Sequence, residues 1–379
     1  MTLDLLSLEV DPRPTPEAID QLLAERSFPL VEDSHATFAY RGQADEVNLR
    51  HWIYGLPSSQ PFRRLGESDL WILVLEIPEG SRFEYKIEVI RGRRRRLIRD
   101  PLNELLAHDP FGANSVLHGT GYETPAWAQP IAGVRSGSML ELEVESQAFG
   151  EPRSVQVYLP ARRRRRRRYP LLIVHDGGDY LRFAALRTVL DNLIDALEIQ
   201  PLVVALIDSP QRLVEYAADP RHSTFLAEEL LPRLEVELPV LADPASRALM
   251  GASFGAVAAL AGAWQNEDVF GQLLLQSGSF AFSDLGERHA RGPTFDPVVK
   301  FMNRFRDEPR QPAQRMFVSC GVYESLIYEN RSLIPLLQRT GADVRFVEAR
   351  DGHNWENWRD RLREGLSWLF PGPLWMVYE

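Results

Sequence analysis

Two glycines bracket a serine at Gly251-Ala252-Ser253-Phe254-Gly255, between a short apolar run and an alanine-rich stretch. The run Ser246 to Gly251 suits a buried strand, and Ala256 to Trp264 suits a helix with a small-residue face. A chain that turns this sharply from strand to helix holds the turning residue in a strained conformation. Its neighbours at Gly251 and Gly255 must be small, because a larger side chain would strike the adjoining strand or helix. The strain exposes the Ser253 hydroxyl, and the new helix points its first amides at developing negative charge. This pattern predicts a layered fold in which a buried strand feeds a packed helix, with a nucleophile at the bend.

A serine hydroxyl is a weak nucleophile until a base takes its proton, and that base needs a third group to orient it. At such an elbow the partners follow in the order serine, acid, histidine. Two histidines lie downstream, His289 and His353. His289 falls in the polar stretch Asp284 to Pro297, which reads as an insertion or lid. His353 follows the strand-like Asp343 to Glu348 and precedes the final helix, where a loop delivers a base to a sheet's carboxyl edge. His353 is therefore the expected base, the plainer alternative being a loop histidine that caps the helix. The acid belongs on the loop after the strand Arg315 to Cys320, and Glu324 stands there ahead of a helix from about Ser325 to Arg339. A first-turn glutamate favoured by the helix dipole is its bland alternative. Asp351 is too close in sequence to His353 to reach the far ring nitrogen. Two backbone amides should hold the oxyanion: Phe254, just after the nucleophile, and Gly178 in the loop Asp176-Gly177-Gly178-Asp179-Tyr180 that ends an apolar strand.

Residues 138 to about 372 resemble the esterase D-type branch of the α/β-hydrolases, and particularly the enterochelin esterases. The resemblance rests on His175-Asp-Gly, Glu228-Glu-Leu-Leu-Pro232, Gly251-Ala-Ser-Phe-Gly255, Gln276-Ser-Gly-Ser279, the Gly321/Glu324/Asn330 helix start and Gly352-His-Asn-Trp-Glu-Asn-Trp358. It implies a serine carboxylester hydrolase acting through an acyl-enzyme on a catecholate siderophore trilactone, with cytoplasmic iron release. An esterase for feruloyl, acetyl or other small acyl groups on sugars is the alternative within the class, and an acyltransferase on the same scaffold is a third reading.

Strand and helix patterns alternate through the region: Leu140–Glu145, Ser154–Leu159, Leu171–Val174, Pro201–Asp208, the elbow strand, Leu273–Gln276, 315–320 and 343–348 read as strands. Helices are expected over Phe183–Leu197 and Ser223–Leu238. This predicts an α/β fold: a mostly parallel sheet covered by helices, with ligands at the strands' carboxyl ends. Ser277, Tyr180, Arg221 and Trp355 are the candidate substrate contacts on that edge. Residues 28–130 have short, aromatic and β-branched runs punctuated by glycine and proline, as in a smaller all-β sandwich of immunoglobulin type. That segment resembles the N-terminal domain of enterochelin esterases, on Phe83-Glu-Tyr-Lys86, Asp100-Pro-Leu-Asn103 and Asp109 to Ser115. Residues 1–27 form an N-terminal segment with one short amphipathic helix around Pro16 to Arg26. The sandwich is expected to cover the mouth of the catalytic domain (138–372) and narrow its substrate range.

Composition sets the remaining bounds. A net charge of −10 argues against general nucleic-acid binding, and no apolar run reaches the length of a membrane helix. The N-terminus carries acids and no basic region, so it does not read as a secretory signal, and the expected location is cytoplasmic. A single cysteine, Cys320, excludes an internal disulfide and any multi-cysteine metal site, and no metal or organic cofactor is expected. The arginines at Arg93–Arg96 and Arg162–Arg168 read as solvated loops or as a collar that attracts an anionic substrate such as a ferric siderophore. The expected partner is a small-molecule ester, and the sequence carries no signal for an oligomeric state.

Overall fold

The computed structural model describes residues 15–161, 163–164, 166–285 and 292–373; His289, Arg162, Arg165 and the N-terminal acidic stretch lie outside the described residues. The chain divides into two compact units. The first takes the described residues up to Thr124 with Gly321–Ser325 and Ala349–Asn354, and the second takes Pro125–Cys320, Leu326–Glu348 and the chain from Trp355.

Among the described residues the first unit begins with a helix, Pro16–Glu25, where Thr15 accepts a hydrogen bond from the Ala18 amide and proline takes the first position. Ten strands follow: β1 Leu30–Glu32, β2 His35–Arg41, β3 Glu46–His51, β4 Ser59–Pro61, β5 Arg63–Arg64, β6 Leu70–Glu76, β7 Arg82–Arg91, β8 Arg94–Ile98, β9 Leu106–Asp109 and β10 Gly112–His118. They form two sheets, ordered β1-β2-β6-β5 and β4-β3-β7-β10-β9, with β8 pairing β7. Their pairings are antiparallel. Alternation decides which side chains turn inward: Val47 and Leu49 of β3 and Phe83, Tyr85, Ile87 and Val89 of β7 are buried with Phe38 and Trp71 of the other sheet in one core. Phe38 meets Tyr85 edge-on at 5.1 Å. Trp71 is a core residue whose indole donates to the Gly42 carbonyl, whereas Trp52 is exposed.

The second unit is built on eight strands: β11 Ser138–Val144, β12 Arg153–Leu159, β13 Leu171–His175, β14 Val203–Ile207, β15 Arg247–Ala252, β16 Gln272–Gln276, β17 Arg315–Gly321 and β18 Asp343–Ala349. Their order is β11-β12-β14-β13-β15-β16-β17-β18. β11, β12 and β14 pair antiparallel, and β14-β13-β15-β16-β17 pair in parallel. The central strands are buried on both faces. Ile173, Leu249 and Leu273 pack on one side beneath the helix Phe254–Gln265. Leu172, Val174 and Met250 pack on the other, against Leu362 and Leu366 of the helix Trp355–Leu369. No helix among the described residues is long and apolar enough to cross a membrane.

Two helices differ from the sequence expectation. The expected Phe183–Leu197 helix starts at Leu186, and a separate helix, Gly177–Phe183, occupies the presumed glycine loop; Ala185, at φ 48°, breaks the two apart. The expected Ser223–Leu238 helix widens into a π-turn over Phe225–Leu230 before continuing as Leu231–Glu237. Pro232 has no amide to donate and its ring crowds the carbonyl four residues back, and the wider turn relieves this.

Candidate active site

Ser253 caps the helix Phe254–Gln265 with φ 57° and ψ −119°, a conformation that non-glycine residues seldom adopt. The surroundings hold it there. A Cβ on Gly251 would run into the backbone carbonyl group of Gly255, and one on Gly255 would lie 3.1 Å from the His175 Cβ and 3.3 Å from the Asp176 carboxylate. The Ser253 amide donates to the Gln276 carbonyl at 3.0 Å, and its carbonyl accepts from the Ser279 amide at 3.2 Å. Its Oγ lies 3.2 Å from the Ser279 hydroxyl. Such strain costs on the order of 1–3 kcal/mol and persists only where packing over-determines it.

Residues that the sequence reading left without a role do this work. Arg212 grips Asp176 with two bonds, 2.7 and 2.6 Å, and also reaches the Ala252 carbonyl, next to the nucleophile. His175, fully buried, donates through Nδ1 to the Met250 carbonyl at 2.8 Å. Its Nε2 is then an acceptor, so the Nε2–H of the equally buried His222 donates to it at 2.9 Å. Burial holds both rings neutral, lowering His175 to about 4 and His222 well below the usual range. The His-Asp-Gly run was visible in the sequence; its partners His222 and Arg212 arrive from distant segments and carried no local signal.

His353 and Glu324 meet directly. The imidazole Nδ1 donates to Glu324 Oε2 at 2.6 Å, and Glu324 Oε1 accepts the Gly321 amide at 2.7 Å. Glu324 is buried, while the imidazole is about one-third exposed. With Nδ1 carrying the proton, Nε2 is the nitrogen that bears the lone pair and can act as a base. Asp351 plays another part: it accepts the Gly352 amide and the Asn354 side chain, at 2.7 and 2.8 Å.

Each of the remaining candidates has contacts within the protein. The Gly178 amide sits in the first turn of a helix and donates to the Asp208 carboxylate at 3.2 and 3.3 Å, so in this arrangement it does not face an open oxyanion position. Tyr180 is fully buried, and its hydroxyl donates at 2.7 Å to the side chain of Gln276, whose carbonyl accepts the Ser253 amide. Ser277 is likewise buried, and its hydroxyl accepts the Trp358 indole at 2.9 Å. Trp355 stacks edge-on against Tyr180 and Trp358 and is only partly buried. Arg221 is exposed and forks onto Asp219 of its own turn. No cluster of metal-ligating side chains occurs among the described residues.

Comparison with known proteins agrees with this architecture. The model of the esterase family described as "Putative esterase" matches residues 146–369, more than half of the chain. The chain belongs to this family. It is a carboxylic ester hydrolase related to the enterobactin esterases. An iron(III) enterobactin esterase of Escherichia coli O6:H1 is 24% identical over 350 residues, covering 84% of this chain and 85% of the relative. An uncharacterized protein of Bacillus subtilis is 24% identical over 242 residues, which are 62% of this chain and 98% of that protein. The crystal structure of the Shigella flexneri enterobactin esterase, determined in the presence of enterobactin, superposes with a TM-score of 0.72 at 21% identity. The match covers 88% of this chain and 92% of that one. This esterase therefore shares its fold with that enterobactin esterase over most of its length.

Proposed function

We propose that this esterase is a serine hydrolase in which Ser253 is the nucleophile, His353 the general base and Glu324 the group that orients it. The observation that carries the reading is the 2.6 Å bond from His353 Nδ1 to the buried Glu324 carboxylate, which leaves Nε2 as the basic nitrogen. The strained elbow at Ser253 supports it, as does topology: the three residues follow β15, β17 and β18, strands of one sheet. Ser253 Oγ bonds to the ester carbonyl carbon as His353 takes its proton, and that proton passes to the leaving alcohol as the ester C–O bond breaks. Water, deprotonated by the same imidazole, then bonds to the acyl carbon; the bond to Ser253 Oγ breaks, the imidazolium returns its proton to Oγ and the acid leaves. The Phe254 amide holds the oxyanion. Gly178 becomes the second donor when the exposed Asp208 side chain swings off its amide.

The substrate we propose is a catecholate siderophore trilactone, hydrolysed in the cytoplasm to release iron. Similarity to an iron(III) enterobactin esterase supports this, because 84% of the chain is more than the catalytic region alone and must reach into the N-terminal unit. We read the N-terminal sheets as an immunoglobulin-type sandwich over residues 28–130, preceded by the 1–27 segment, with the catalytic domain over 138–372. The test is covalent labelling with a fluorophosphonate probe mapped by peptide mass spectrometry. Rapid modification of Ser253, lost in His353→Ala, is expected. A folded protein that resists labelling refutes the mechanism. Turnover of a catecholate trilactone against a feruloyl ester then decides the substrate, and added alcohol acceptors separate hydrolysis from transfer.

A further inference from the structure

The loops that carry His353 and Glu324 leave the strands β18 and β17, yet they belong to the same compact unit as the N-terminal sheets. Their bonds explain why. Arg82 opens β7 and is 1% exposed. Its guanidinium donates to both Asp351 oxygens, at 3.1 and 3.3 Å, and to the Asn354 side-chain oxygen at 3.0 Å. Its backbone amide donates to the Arg350 carbonyl at 2.9 Å, and the Arg350 side chain reaches back to the Glu79 carbonyl. The base at position 353 is thus flanked on both sides by residues that one buried arginine holds. The acid loop is held in the same way: the Tyr54 amide donates to the Tyr323 carbonyl at 2.7 Å, and Ser81 and Tyr323 share a 2.5 Å hydroxyl bond. A further bond, from the Tyr323 amide to the Asp351 carbonyl at 3.1 Å, joins the two loops.

We infer that Arg82 is a positioning residue for the base: through Asp351 and Asn354 it fixes the loop that presents His353 to its proton donor. This rests on the reading of His353 as the base. The physical case is one of geometry and desolvation. An imidazole that is one-third exposed on a loop has many rotamers and backbone states available, and only a few align Nε2 with a hydroxyl. Arg82 also pairs Glu84 of its own strand at 3.4 Å, so moving the loop away would take the buried Asp351 carboxylate off an arginine that stays fixed, and the loop has one deep minimum. The N-terminal sheets thereby act on the chemical step.

The test compares Arg82→Met, Asp351→Asn and Asn354→Ala with wild type, using a p-nitrophenyl ester. Rates are normalised to active sites counted by the acylation burst, with thermal melts as the fold control. Loss of alignment on the scale of an ångström predicts a fall in kcat of about 10- to 100-fold, with KM changed less than about twofold. Fluorophosphonate labelling of Ser253 should slow by the same factor. Arg82→Met with Asp351→Asn should cost no more than the worse single change, because both break one device. If Arg82→Met does not fold, the two loop variants carry the test. Folded variants that turn over and label at wild-type rates, with His353→Ala inactive, overturn the inference alone. His353→Ala labelling at the wild-type rate overturns the base assignment and the inference with it.

Discussion

Replacing Glu324 by glutamine removes one charge and one acceptor from a buried carboxylate that serves two donors, the Gly321 amide at 2.7 Å and the His353 Nδ1–H at 2.6 Å. The amide can satisfy only one of them. With its oxygen toward Gly321, its NH2 faces the imidazole and favours the tautomer protonated on Nε2, which cannot accept the serine proton. With its oxygen toward the imidazole, two donors face each other at Gly321. The productive orientation therefore carries a buried unsatisfied donor, about 1–3 kcal/mol. The imidazolium also loses its counter-charge. At an effective dielectric of about 20 a contact pair is worth about 4 kcal/mol, and exposure of the imidazole reduces this to roughly 2. Together these give about 3–5 kcal/mol, so kcat should fall by on the order of 10²- to 10⁴-fold with KM little changed. The assay is burst-titrated hydrolysis of a p-nitrophenyl ester, with a melt to confirm folding. A folded Glu324→Gln enzyme within about tenfold of wild type would show that Glu324 only ties its own loop.

Gly251→Ala should both destabilise the protein, by about 1–3 kcal/mol or more, and abolish probe labelling, because the new methyl meets the Gly255 carbonyl group inside the elbow. An unchanged melt with normal labelling would mean that the bend has room to spare. Tyr180→Phe leaves Gln276 short of a donor in a buried place and should cost about 1–3 kcal/mol of stability without moving KM; a changed KM at constant stability would restore Tyr180 as a substrate contact. His175, held down to about 4 by burial, and His222, also held down, bind fewer protons folded than unfolded. Stability is therefore undiminished above about pH 6.5 and declines as pH falls from there toward 4, by about 3 kcal/mol for His175. Denaturant melts across that window, with ring resonances followed by NMR, check this, and a ring titrating near 6.5 in the folded protein contradicts it.

Period and chemistry were legible in the chain itself. Eight strand-like runs in the catalytic region correspond to β11–β18, because central strands buried on both faces must be nearly continuous in Val, Ile and Leu. The elbow was equally plain, since only small residues fit where a strand and a helix nearly collide. The order of Ser253, Glu324 and His353, each placed after a strand, pointed to a reacting group before any contact was known. Side-chain partnership across long sequence separations was not legible. Whether Tyr180 and Ser277 face a substrate or the protein interior depends on Gln276 and Trp358, which approach from elsewhere in the sheet. A helix stands where the glycine loop was expected, and Asp208, thirty residues on, takes the Gly178 amide in its first turn. Arg82 and Asp351 lie 269 positions apart, and nothing local marks either one as the other's partner. Local sequence sets propensity, strain and chemistry; the choice of which buried charge answers which is made only when the chain closes on itself and water is excluded from the pair.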